Sequence, residues 1–93
     1  MIYPTIGRRV WYTPSNHDTR QDHPDRIVQH DKSLPLDAGI AYVWNERMVN
    51  LTVADQNGVM HARTSVMLLQ DDEVAAPGAP FAQWMPYQVK AAS

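Results

Sequence analysis

Met48-Val49-Asn50-Leu51-Thr52-Val53-Ala54 alternates apolar and polar residues with the period of a half-buried strand. Val49, Leu51 and Val53 share one face; Asn50 and Thr52 share the other. Asp55-Gln56-Asn57-Gly58 follows, and Asn-Gly is a hairpin signal because both residues tolerate positive φ. Val59 to Leu68 then returns as a second strand. Its alternation places His61, Arg63 and Ser65 on a polar face, with Met60, Ala62, Thr64, Val66 and Leu68 opposite.

Working outward, Ala38 to Trp44 is rich in β-branched and aromatic residues and reads as a further strand. It is apolar on both faces, so periodicity does not reveal its inward side. Arg8 to Thr13 reads as the first strand, bounded by Gly7 and Pro14. Between these two lies a long polar loop, residues 14–36, with three of the four histidines and four of the ten acids. Gln70-Asp71-Asp72-Glu73 forms an acidic turn, and residues 70–80 form a Pro/Gly/Ala connector. Phe81 to Tyr87 supplies a short closing strand, and residues 90–93 are expected to fray. No stretch shows an apolar stripe of helical period over ten residues. The expectation is an all-β fold: a small SH3-like, five-stranded, partly open barrel with a long loop between strands one and two. Residues 1–90 make one domain.

The totals agree. A chain of 93 residues has room for one domain and buries roughly 60–70% of its unfolded surface. It has no cysteine, so any metal would rest on histidine and carboxylate. Eight Lys+Arg against ten Asp+Glu leave a net charge of −2, which disfavours strong duplex nucleic-acid binding. No apolar run approaches the ~20 residues of a membrane span. The start of the chain does not read as a signal peptide, because Arg8-Arg9 follows the apolar residues instead of preceding them.

The strings Met48–Val53, Asp55-x-Asn57-Gly58, Arg63-Thr64-Ser65-Val66 and Trp84-Met85-Pro86-Tyr87-Gln88 resemble a family of small uncharacterised proteins of tailed phages and prophages. The opening Gly7-Arg8-x-Val10-x-Tyr12 fits the same family, and the likeness covers residues 6–90 apart from the loop. The resemblance implies a phage-derived origin, a compact SH3-like barrel and no catalytic activity. The setting it implies is the cytoplasm of an infected bacterial host.

Candidate chemistry is sparse. The loop pairs His17-Asp18, His23-Pro24-Asp25 and His30-Asp31 combine competent ligands, but their spacings match no compact zinc motif. No metal and no cofactor is expected. His61 and Ser65 lie about 13 Å apart along a strand, too far for a nucleophile and its base. No enzyme is expected. The remaining candidate is a binding surface made of Arg63, His61 and Ser65, with Asn50 on the partner strand, Arg47 in the adjoining turn, and Trp44 and Trp11 as stacking aromatics. Such a surface suits a small anionic, nucleotide-type ligand. An ordinary solvated hairpin face with cross-strand hydrogen bonds competes with that reading.

The expected function is a non-enzymatic accessory protein that sequesters a small anionic host-defence signal or a host protein. It is expected to be a homo-oligomer. The alternatives are a minor structural component of the virion head or tail, and weak binding of single-stranded nucleic acid.

Overall fold

The computed structural model describes residues 1–71 and 73–92. Asp72 of the expected acidic turn and Ser93 of the expected frayed tail lie outside the described residues. Five strands run β1 (Arg9–Thr13), β2 (Leu36–Asn45), β3 (Met48–Ala54), β4 (Met60–Leu69) and β5 (Phe81–Gln83), followed by a helix, α1 (Pro86–Ala92). They form the small barrel the strand rhythm suggests, in the order β1-β2-β3-β4-β5, and it is closed where a partly open one was expected. Neighbours pair antiparallel, except that β5 joins β4 in parallel at Leu68 and Leu69. No helix among the described residues is long and apolar enough to cross a membrane.

The β3–β4 turn follows its sequence signal with one change. Gly58 adopts a left-handed φ of 83°, whereas Asn57 is not among the residues of positive φ. Asp55 organises the turn instead. Its Oδ1 accepts the amides of Asn57 (2.9 Å) and Val59 (3.0 Å), and its carbonyl accepts that of Gly58 (2.9 Å). A short carboxylate serving backbone donors is the usual way for an aspartate to fix a turn.

β3 buries Val49, Leu51 and Val53 as its alternation demands. β4 does not keep its expected phase. Leu51 faces Arg63 and Val49 faces Val66, so two residues, Thr64 and Ser65, stand opposite Asn50 alone. This is a β-bulge, and Ser65 takes a left-handed φ of 53° to make it. One extra residue exchanges the two faces of a strand. Before the bulge, His61 and Arg63 therefore point inward while Met60, Ala62 and Thr64 point out; after it, Val66 and Leu68 return to the core. The expected polar outer face of His61, Arg63 and Ser65 does not exist.

β2 resolves the ambiguity that its sequence left. Leu36, Ala38 and Ile40 are buried, and two further register shifts then turn Tyr42 and Trp44 outward. The long segment between β1 and β2 is a strap laid against the barrel. Its Ile27 is fully buried in the core, which contributes about 1.5–3 kcal/mol.

The helix was not expected. Pro86 fills its first position, where a missing amide costs nothing. Gln88 reaches back to accept the Met85 amide through Oε1 (2.7 Å) and donates through Nε2 to the Arg9 carbonyl (3.0 Å). Lys90, Ala91 and Ala92 belong to this helix, which Gln88 ties to β1. A second buried amide closes the opposite seam. Gln70 accepts the Ile2 amide and the Trp84 indole through Oε1 (3.2 Å each), and its Nε2 donates to the carbonyls of Ile2 and Glu46 (2.8 Å each).

Candidate functional site

Two features stand out beyond the core, and the bulge in β4 separates them. The first is a polar cluster between β4 and the strap. Arg63 Nε donates to Asp18 Oδ1, Nη1 donates to Asp25 Oδ2 and to the Ala62 carbonyl, and Nη2 donates to the Asp25 carbonyl, all at 2.8 Å. Asp18 Oδ2 in turn accepts the Tyr12 hydroxyl (2.8 Å), the Ser15 amide (2.9 Å) and the Ser15 hydroxyl (3.2 Å). His61 lies between Asp25, 2.6 Å from Nδ1, and Asp55, 2.8 Å from Nε2. No buried side-chain nitrogen or oxygen among the described residues lacks a partner.

The electrostatics follow from these bonds. Burial opposes the charge on His61, but its bonds to Asp55 and then Asp25 outweigh that and raise its pKa above 6.5. Burial likewise opposes ionisation of Asp55 and Asp18. Their donors prevail and hold both carboxyls below the usual range: His61 and backbone amides for Asp55, Ser15, Tyr12 and Arg63 for Asp18. Asp25 is lowered by Arg63 and then His61. Burial, and then the Asp18 carboxylate, push the Tyr12 hydroxyl well above its usual value.

The second feature lies on the outside of β2, β3 and β4. Tyr42 is 48% exposed, Trp44 56%, Met48 37% and Met67 48%. Met48 and Met67 stand opposite each other across β3 and β4. Tyr42 meets Trp44 edge-to-face, with ring centres 4.9 Å apart and planes at 74°. Trp44 Nε1 donates to Asn50 Oδ1 (2.9 Å), which also accepts the Ser65 amide at the bulge (2.8 Å). A groove of about 510 Å³ borders this face, lined by Met48, Met67, Ser65, Arg63, His17 and Pro80 among others. A cleft of about 470 Å³ runs along the connector, between Thr13–Asn16 and Glu73–Ala79.

The candidate residues from the sequence are therefore dispersed. His61 and Arg63 sit beneath the strap. Trp44, Asn50 and Ser65 come together on the outer face. Arg47 turns to Glu73 (2.9 Å) and Glu46 (3.1 Å). Trp11 borders a separate depression with Lys32, Ser33 and Pro35. The other arginines on or beside the strands are also engaged: Arg8 lies 5.2 Å over the Trp84 ring, and Arg9 pairs with Asp37.

The loop histidines serve local structure. His17 and His23 meet edge-to-face at 4.8 Å, His23 Nδ1 accepts the Asp25 amide (2.9 Å), and His30 meets Asn57 (2.7 Å). Among the described residues, no group of three or more His, Cys, Asp or Glu is arranged to hold a metal ion. The two carboxylates on His61 address opposite ring nitrogens and cannot converge on one ion.

Sequence reasoning missed Tyr42, Met48 and Met67 as surface residues, and Asp18, Asp25 and Asp55 as partners of the barrel's own cations. The acid beside each loop histidine was a visible signal. Its counterparts lie up to 45 positions away, beyond any local pattern. Compared with known proteins, the chain matches no family model, no curated protein and no solved structure.

Proposed function

We propose that this chain is a non-enzymatic binding module that holds a partner protein against the Tyr42–Trp44–Met48–Met67 face. The supporting observation is that face itself. Four large apolar side chains stand half in water on adjacent strands, and the central tryptophan is fixed by a ring neighbour and a hydrogen bond. Contiguous apolar surface of this kind is uncommon on monomers without a contact role. Aromatic residues and methionine are the side chains enriched in protein interfaces, and a tryptophan held in place loses little freedom on binding.

A small anion fits the geometry less well. The arginines of the barrel already hold carboxylates or an aromatic ring, so an incoming anion would have to displace a partner. The resemblance to small tailed-phage proteins supports an accessory protein that acts by stoichiometric binding inside an infected host.

The test is a comparative capture from infected-host extract with the native chain and a Trp44→Ala, Met67→Ala variant. A partner held by the native chain and lost by the variant supports the reading, and equal capture by both overturns it. Light scattering on the purified protein tells whether that partner is a second copy. Absorbance at 260 nm tells whether a nucleotide travels with it, which would favour the anionic ligand instead.

A further inference from the structure

We propose that His61 is a pH-dependent latch between strap and barrel, complete only while its ring carries both protons, so that the strap loosens as pH rises. The argument begins with valence. A carboxylate accepts hydrogen bonds and donates none, and a neutral imidazole has a single N–H. His61 meets a carboxylate at each nitrogen, at 2.6 Å and 2.8 Å. Only the imidazolium donates to both.

The two carboxylates come from different segments. Asp55 belongs to the β3–β4 turn and its side chain is 1% exposed; Asp25 belongs to the strap and is 51% exposed. The other groups around the ring are Arg63 beside it on β4, Asp18 on the strap and Tyr12 on β1, joined through Asp18 and Asp25. Arg63 keeps its charge throughout. Tyr12 and the three aspartates are shifted away from neutrality. His61, raised above 6.5, is thus the member of the cluster whose charge changes between the carboxylates and the phenol.

Loss of one proton leaves a ring lone pair facing a carboxylate. Asp55 is buried and fixed by two amides of its own turn, Asn57 and Val59, so Asp25 is the partner that yields. The same strap is bonded to β4 through His61 and Arg63. That strand pairs with β3 along its length but meets β5 only at Leu68 and Leu69, leaving the flank from Met60 to Met67 without a second strand. Arg63, within this stretch, is clamped to the side chain and carbonyl of Asp25. An uncovered strand flank is a template for pairing, so release of the strap exposes a strand-binding edge.

The sign is fixed by linkage. The His61 pKa is raised in the closed form, so the latch is complete below the ordinary imidazole value of 6.5 and is lost as pH rises through the raised value. Amide hydrogen exchange reads this directly. Ile27 donates to the Asp18 carbonyl, Val28 to Asp55 and Gln56 to the Val28 carbonyl, so these three amides report strap opening. After correction for intrinsic chemistry, their opening should rise by up to about tenfold per pH unit above 6.5 and then level off.

Asp25→Asn removes one of the two charges that hold the imidazolium. It should move both the His61 titration and the plateau to lower pH. Asp22→Asn, on a strap acid that pairs with Arg20, should leave the profile in place. Nitrogen NMR of the His61 ring should show two protonated nitrogens below the midpoint. A neutral ring at pH 6, or opening that stays flat while His61 titrates, would overturn the latch.

Discussion

The inner cluster beneath the strap and the outer face of β2–β4 use opposite chemistry in opposite places. Beneath the strap an arginine, a histidine and three aspartates bond to one another. Outside stand two aromatic rings and two methionines, all substantially exposed. The charges, which looked like a ligand surface, hold the barrel to its strap. Of the apolar side chains that face solvent, only Trp44 was singled out in advance for a binding surface. A polar group that is bonded throughout has little left for a ligand, whereas exposed apolar area has nearly all its binding energy still to give.

The strongest way to break this contrast is Arg63→Ala. It leaves Asp18 buried without its cation, which costs about 3–5 kcal/mol where a buried pair loses one member. Denaturant unfolding should show that loss. A cost under about 1 kcal/mol, the value of a surface pair, would place Arg63 with the exposed residues.

Trp44→Ala sharpens the other side. It should change unfolding by no more than about 0.5 kcal/mol, as surface positions do. It should weaken partner binding by about 2 kcal/mol or more, as an interface anchor does. A large stability loss would show that the face serves the fold.

The smallest effect is expected at the junction of the two regions. Ser65 holds a left-handed φ of 53°, a conformation that costs an L-residue about 1–2 kcal/mol and glycine little. Ser65→Gly should therefore leave stability level or raise it by under about 1 kcal/mol, since the Asn50 bond uses the backbone amide. A clear loss would mean that the serine side chain itself sets the bulge.

How much of this was legible depends on reach. The alternation at Val49, Leu51 and Val53 and the turn at Asp55–Gly58 are local and were readable. So were the number of strands and the long loop. The bulge was not, because Ser65 is an ordinary residue in an unusual conformation and no glycine marks it. That one residue inverted the faces of His61 and Arg63, and with them the site. The partners of those two residues were visible as acids in the loop, but only the closed barrel brings positions 18 and 25 to 61 and 63. The helix at Pro86 was missed: its seven residues are too few for a ten-residue stripe, and the proline at its first position was the local sign of it.

The strap's distant bonds also bear on time. β3 and β4 meet through a five-residue connection, so their pairing needs little chain closure. Asp18 and Asp25 should find Arg63 and His61 only after that hairpin exists, because its register sets where those side chains point. Contacts made late are absent from the folding barrier, and their loss speeds unfolding without slowing folding. Arg63→Ala should accordingly raise the unfolding rate in stopped-flow measurements while the refolding rate holds. The strap then governs how long each molecule remains folded, and has little say in how quickly it gets there.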